Sequence, residues 1–301
     1  MVRDILIKLI RFSCRFYPFV SGQHRASNCT IVKNICRGKG IKLCKLPCGS
    51  LIYADLDDSD GRSVFFMGYN DSKVSRIIER VVREGDTVID IGANHGEHTI
   101  TCSQLVGERG FVHAIEPNPK LAEMIRKSLK ANNITNAKVH ELALSDKDGK
   151  SWFYVNAQIS GTGSLEKNNR PNTQRIVVDV RRGDSFFAEL PIEKVRLMVI
   201  DVEGHEQALF TGAKEFLQNV QPEVILFESL ELNAVFWDRS IVKTIKSFGE
   251  YVFYEIPKTY MRVRVNSINL RKPKTSGHDF LAIHTNCLDE LTALLPITEN
   301  Y

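Results

Sequence analysis

Most features that would place this chain at a glance are missing from it. No run of about 18 uncharged apolar residues occurs, so no membrane-spanning helix is expected. There is no CxxC pair and no internal repeat. The dinucleotide fingerprint GxGxxG is absent, and so is an NPPY-type tetrapeptide of the kind some amino-methylating enzymes use to hold a planar nitrogen. Charge of one sign is scarce. Forty Lys and Arg against 36 Asp and Glu leave a net +4, too little for a phosphate-tracking surface, so nucleic acid is not an expected partner. The seven cysteines are odd in number and scattered, which excludes a simple disulfide framework and favours a reduced, cytoplasmic setting. Cys29, Cys36, Cys44 and Cys48 fall close together. Without CxxC spacing they read as small apolar residues of a β-rich segment rather than as a zinc site.

What is present is ordinary globular composition, 43% hydrophobic and 25% charged, over 301 residues. At the start, Asp4, Lys8, Arg11 and Arg15 recur at helical spacing, with Ile5, Leu6, Leu9, Ile10, Phe12, Phe16 and Phe19 over the remaining surface. Residues 1–20 therefore predict a basic amphipathic helix. It packs on its own domain or rests on an anionic membrane or a partner, and the first reading is preferred. Charges interrupt the apolar stretch and no small-residue cleavage site follows, which argues against a signal peptide. Short alternations at Ile41–Leu43 and Ser50–Tyr53 predict a small antiparallel β-element, and Asp57–Gly61 a turn. Residues 1–60 form this appendage, 61–290 the main domain and 291–301 a tail.

From residue 86 strands and helices alternate. Strands are predicted at Thr87–Ile91, Phe111–Glu116, Lys138–Leu144, Val195–Asp201 and Glu223–Glu228, then Tyr251–Glu255 and Phe280–His284. Helices are predicted over Ser72–Arg83, Glu97–Val106, from Asn118 with Pro119 at its first position, over His205–Val220, and near Asn233–Phe248. Such alternation predicts a parallel sheet with helices on both faces. It is interrupted by a hairpin, Ser151–Asn156 and Arg175–Val180, around the polar stretch Gln158–Thr173, which is either a functional loop or disordered.

Asp90, Glu116, Asp201 and Glu228 all lie at or near predicted strand ends, where open α/β sheets bind ligands. Taken singly, each would pass as a capping or turn acid; four together suggest a site. Gly92 and Gly96 allow a tight turn and close approach of the backbone to a ligand. Glu116 ends the next strand, where a carboxylate can accept from both hydroxyls of a ribose. Asn94 stands where a dinucleotide site needs glycine, and Glu97 opens the helix where a diphosphate would sit. S-adenosylmethionine has a ribose and no phosphate, and its ammonium suits Asp90 or nearby carbonyls.

Asp86-Thr87-Val88-Ile89-Asp90-Ile91-Gly92-Ala93-Asn94-His95-Gly96 resembles the first motif of the FkbM-type methyltransferases. Ala114–Pro119, Ala143–Asp146 and Ile200–Glu206 resemble three further motifs of that family, in order. The resemblance implies a class I (Rossmann-like) α/β methyltransferase fold. Its sheet has seven mostly parallel strands in the order 3-2-1-4-5-7-6, the last antiparallel. It also implies O-methylation of a hydroxyl on a saccharide, glycolipid or secondary metabolite. Carried onto this chain, the backbone of Gly92, Ala93, Asn94 and Gly96 would hold the methionine part of the cofactor. Glu116 would hold the ribose, Ala143, Leu144 and Asp146 would border the adenine, and Asp201 and Glu203 would lie near the methyl group.

A hydroxyl acceptor needs its proton removed, and Asp201, Glu203 and His205 are the candidate bases; Asp201 is preferred and His95 is weaker. Asp201, Glu203 and Glu228 could instead hold a divalent metal, a less favoured reading. Other readings are a non-catalytic binding module, a Rossmann-like oxidoreductase, and a protein or other N-methyltransferase. The sequence leaves the acceptor and the oligomeric state open.

Overall fold

The computed structural model describes residues 2–14, 16–17, 19–167, 170–229, 231, 235–268, 275 and 277–298. The predicted N-terminal helix is α1 (Val2–Cys14); Arg15 lies outside the described residues. Two short helices follow, α2 (Gln23–Ser27) and α3 (Thr30–Cys36), where sequence reading placed no helix. Helices of one or two turns are too short to show a period. The predicted β-element is the hairpin β1 (Ile41–Lys45) and β2 (Leu51–Asp55). Asp57–Gly61 is not a free turn. Asp58 caps α4 (Ser59–Met67), its carboxylate accepting from the N–H groups of Asp60 and Gly61. This appendage lies on the main domain rather than apart from it: Ile7, Val32, Ile52 and Phe66 share one core with Ile100, Ala114 and Ile125.

Asp71 caps α5 (Ser72–Val81), whose Val74, Ile77, Ile78 and Val81 are buried as the sequence spacing predicts. The alternating part runs β3 (Thr87–Ile91), α6 (Glu97–Leu105), β4 (Phe111–Ile115), α7 (Pro119–Ala131) and β5 (Ala137–His140). The predicted third strand is then divided. Its second half is β6 (Ala143–Ser145), which leaves the main sheet and pairs with β8 (Thr173–Arg182). Strands β6, β7 (Gly149–Asn156) and β8 form a separate three-stranded sheet. After α8 (Gly183–Ala188) come β9 (Leu197–Ile200), α9 (Glu206–Gly212), α10 (Lys214–Val220) and β10 (Val224–Glu228). The helix expected as one over His205–Val220 is two. Its backbone at Gly212 runs so close to Ser145 that a Cβ there would lie 1.8 Å from the Ser145 carbonyl oxygen. The chain ends with α11 (Ser240–Lys246), β11 (Tyr251–Glu255), β12 (Val265–Ser267), β13 (Asp279–His284), α12 (Leu288–Leu294) and β14 (Ile297–Thr298). Asn233, the expected start of the helix before β11, is outside the described residues.

Among the described residues the main sheet has nine strands, not seven, in the order β14-β12-β11-β13-β10-β9-β3-β4-β5. β5, β4, β3, β9 and β10 are parallel; β13 runs antiparallel to both β10 and β11. The two extra strands come from the end of the chain. Residues 291–298, read as a tail, supply buried Leu291 and Leu295 and the edge strand β14, which pairs with β12. Along each parallel strand the buried side chains alternate. Ile89, Ile91, Met198, Ile200, Ile225 and Phe227 pack under α8–α11, whereas Val88, Leu197, Val199, Val224 and Leu226 pack under α5, α6 and α12. With both faces covered by helices, ligands can approach the sheet only at its ends.

Candidate functional site

At the carboxyl end of β3 the chain turns through Gly92 (φ 86°) and Asn94 (φ 51°) into α6. Gly92 is required by space as well as by φ, since a Cβ would stand 1.8 Å from the Asp201 carbonyl oxygen. The turn is fixed to β4 by the Gly92 and Ala93 N–H groups, which donate to the Ile115 carbonyl at 3.0 and 3.1 Å. Asn94 is the residue type that adopts a left-handed backbone most readily after glycine. Its N–H donates to Glu116 Oε2 at 2.8 Å, and the Asn118 N–H donates to Oε1 at 2.8 Å. Glu116 is thus held by one backbone donor on each oxygen. Burial pushes its carboxyl up to about 8, against the pull of those two bonds.

Two compartments meet on either side of Asp201. The first, of about 610 Å³ including its open part, is floored by Gly92, Asn94 and Glu116. Ala143, Leu144, Leu121 and Phe153 wall it with apolar surface, and Ser160, Gly161 and Leu165 cover it. The second, of about 910 Å³, holds Asp90, Ala93, Asn94, Glu97, His98, Glu228 and Asp279. A wider opening beyond it is bordered by Val20, Gly22, His24, Asp60, Glu203 and Lys258. Asp201 lines all three.

The covering segment comes from the polar loop between β7 and β8, and its Gly161 end is ordered by two acids of the N-terminal appendage. Ser160 donates through N–H to Asp58 Oδ1 at 2.6 Å and through Oγ to Asp58 Oδ2 at 2.9 Å; the Gly161 N–H donates to Asp60 Oδ2 at 2.5 Å. Ser160 Oγ also lies 2.8 Å from Asn94 Oδ1. The loop, the appendage and the glycine turn therefore form one network. Sequence reading missed Asp58, Asp60 and Ser160 because their partners are about 100 residues apart.

The other sequence-predicted residues divide. Asp90 is buried and accepts from Thr99 Oγ1 at 2.5 Å; burial holds its carboxyl above the usual range. Gly96 has φ 82° but packs against Ile125 and lines none of these compartments. Asp146 is exposed in the turn after β6, beside Ser145 Oγ, and does not reach the apolar wall. His205 lines the first compartment, with Nδ1 2.8 Å from Glu166 Oε1 and Nε2 2.9 Å from Ser145 Oγ. His95 is buried behind the turn, 3.6 Å from Asp58. Of the four clustered cysteines, Cys36 and Cys44 are buried and Cys29 and Cys48 exposed.

Asp201, Glu203 and Glu228 each offer an oxygen, all within 4.8 Å of one another. Three carboxylates so close oppose each other's ionisation. The depth of the cleft floor, then Glu228 and Glu203, push Asp201 well above the usual carboxylate range, although its side chain is open to the cleft. Burial is the larger cause for Glu203 and for Glu228, each pushed up to about 7. Glu203 is held at φ 52°, a left-handed backbone uncommon for Glu. Buried Lys73, paired with Asp71 and Asp279, partly offsets the rise at Glu228, as Arg170 does at Glu203.

An apolar slot with an anchored buried carboxylate on its floor fits an adenosine, and among the described residues no Lys or Arg lines the slot or the glycine turn, which fits a ligand without phosphate. Residues 90–269 match the methyltransferase FkbM domain. The 2-O-methyltransferase NoeI of Sinorhizobium fredii is 29% identical over 160 residues, 48% of this chain and 65% of that protein. The hexuronic acid methyltransferase AglP of Haloferax volcanii is 25% identical over 147 residues, 49% of this chain and 58% of that protein. The chain thus spans less than two thirds of the length of these relatives. The crystal structure of an FkbM methyltransferase from Methylobacillus flagellatus superposes with a TM-score of 0.41 at 13% identity, over 74% of this chain and 54% of the other. With a mixed α/β fold, four ordered motifs and a family match over more than half its length, the chain belongs to the FkbM family of S-adenosylmethionine-dependent methyltransferases.

Proposed function

We propose that this protein is an O-methyltransferase of class I architecture that modifies a hydroxyl of a saccharide. The observation that carries this reading is the position of Asp201, among the described residues the one carboxylate that borders both the adenosine-type slot and the acidic compartment beyond it. The class I assignment rests on seven consecutive strands of the main sheet, which read 3-2-1-4-5-7-6 when β12 and β14 are set aside.

Bound in the slot, S-adenosylmethionine supplies a methyl group already activated on its sulfonium. The chain's own residues do the rest. Glu116 accepts hydrogen bonds from ribose hydroxyls, and Ala143, Leu144 and Leu121 exclude water from the adenine. Asp90 and the carbonyls near Gly92 face the ammonium. The acceptor hydroxyl sits against Asp201, which takes its proton; a positioned general base contributes roughly 100- to 10,000-fold. Glu203 and Glu228 raise the proton affinity of Asp201 and accept from neighbouring hydroxyls of a polyol. His205, turned toward Ser145 and Glu166 on the cofactor side, positions that wall rather than acting as the base. The saccharide reading also draws on the two relatives, one named for 2-O-methylation and the other for a hexuronic acid.

Labelled methyl transfer to a panel of hydroxylated saccharides tests this. Turnover is expected with at least one of them. Asp201→Asn should lower kcat about 100-fold or more with the S-adenosylmethionine Kd nearly unchanged. Turnover should survive a chelator; loss of activity restored by Mg²⁺ or Mn²⁺ would instead assign Asp201, Glu203 and Glu228 to a metal. Tight binding of NAD without S-adenosylmethionine binding would overturn the whole reading.

A further inference from the structure

The N-terminal helix buries only a narrow stripe. Ile7 is buried and Ile10 and Cys14 are half-buried, packed on the core of the appendage. Arg3 and Arg11 lie on that inner side too, Arg3 donating to the Asn34, Ile35 and Arg37 carbonyls and Arg11 to those of Phe65 and Lys45. The opposite side is apolar. Val2, Ile5, Leu6, Leu9 and Phe12 follow the three-and-four spacing of one helical face, and Phe16 continues it. Phe12 is 62% and Phe16 69% exposed, their rings edge-to-face at 5.2 Å. Nothing among the described residues covers this face. A soluble surface rarely leaves so many large side chains contiguous and outward.

The charge of this N-terminal segment is equally one-sided. Residues 1–48 contain ten Lys or Arg and one acid, Asp4, so a segment of +9 sits on a chain of +4. A second segment adds to it. The Val20 N–H donates to the Tyr260 carbonyl at 2.7 Å, joining the chain after α1 to a loop that exposes Tyr260 (78%) and Met261 (67%) among Lys258, Arg262 and Arg264. Val20, Arg25 and Lys258 also border the wide opening that leads to Asp201 and Glu203. The opening is thus basic and apolar at its rim and acidic at its floor.

We infer that the outer face of α1 and the Tyr260–Met261 loop seat the protein on an anionic lipid bilayer, with the acceptor opening beside that surface. Apolar side chains on a basic element are the composition of an interfacial anchor: the rings and aliphatic chains enter the headgroup boundary, and Lys and Arg meet anionic lipid. A helix of 13 residues is too short to span, so it lies in the plane. Resting on the proposed O-methylation, this makes the acceptor a saccharide carried on a lipid, its hydroxyls reaching Asp201 while its anchor stays in the membrane.

Flotation of the full chain with vesicles tests the surface directly. Binding to phosphatidylglycerol–phosphatidylcholine vesicles is expected to exceed binding to pure phosphatidylcholine by about tenfold or more. Leu9→Glu with Phe12→Glu should lose most of it, because charge replaces the inserting side chains. These positions are exposed, so the fold and the S-adenosylmethionine Kd should not change, whereas Val177→Glu on the exposed side of β8 should leave vesicle binding intact. Equal recovery of wild type and double variant with anionic vesicles would overturn the inference. So would a concentration-dependent dimer that the double variant dissociates, for then a second copy covers the face. Failure of S-adenosylmethionine to bind, with flotation preserved, would remove the enzymatic reading and leave the docking surface standing.

Discussion

Glu116 shows how much a single side chain must reconcile. Its two oxygens accept from Asn94 and Asn118, which favours the ionised form, yet burial dominates and the carboxyl titrates at about 8. A ribose that donates further hydrogen bonds stabilises the carboxylate and lowers that value. Cofactor binding at pH 7 should therefore release a proton, seen by calorimetry as a heat that depends on the buffer's ionisation enthalpy. Affinity should rise with pH up to about 8 and level off beyond. Glu116→Gln should weaken binding about 10- to 100-fold and abolish the proton release; unchanged affinity would place the ribose elsewhere. The acid's place after the second strand was legible in the sequence, because strand ends and glycine turns are local patterns. That Gly96 and Asp146 do not line the slot was not legible for the same reason. A motif shows which residues are near in sequence, but Gly96 turns toward Ile125 and Asp146 lies past the point where β6 has left the cleft.

Among elements, the loop between β7 and β8 depends most on distant partners. Its alternation and polar composition predicted a hairpin with a long connection, and β7 and β8 form it. What the loop covers could not be read, since Asp58 and Asp60 looked like part of a turn. In the fold Asp58 does two things at once, capping α4 and binding Ser160 through N–H and Oγ. Asp58→Ala should cost about 1–2 kcal/mol from the cap alone. It should also raise the S-adenosylmethionine Kd several-fold by releasing Ser160 and Gly161 from the slot, whereas Ser160→Ala should weaken binding with little loss of Tm. Thermal unfolding beside titration calorimetry separates the two effects. If Asp58→Ala loses stability but binds the cofactor normally, the loop is a bystander. The nine-strand sheet carries a similar lesson. The seven consecutive strands from β11 to β5 were legible, but β12 and β14 at one edge are three and two residues long and carry no period of their own.

At the scale of the whole molecule the carboxylates are divided unevenly, and their concentration at the sheet ends works against folding. Glu203 and Glu228 titrate at about 7 and Asp201 higher than an ordinary carboxylate, while in the unfolded chain each returns to about 4. A carboxyl whose folded pKa is raised favours the native state most below its unfolded value, and that advantage is lost as pH rises through the folded one. The cluster should therefore cost the protein stability as pH rises from about 4 to about 7, the window set by Glu203 and Glu228. Glu228→Gln removes one charge from it without changing the shape of the side chain. Its Tm should equal that of the wild type near pH 4 and exceed it at pH 8 by on the order of 2–4 °C. Saccharide turnover should fall at the same time, because Glu228 raises the proton affinity of Asp201. A chain that gained stability at pH 8 and kept full activity would show Glu228 to be dispensable. A Tm difference independent of pH would mean that the side chain acts by packing and not by charge. The expected pairing, stability gained where catalysis is lost, is what the proposed role of these acids toward an acceptor hydroxyl requires.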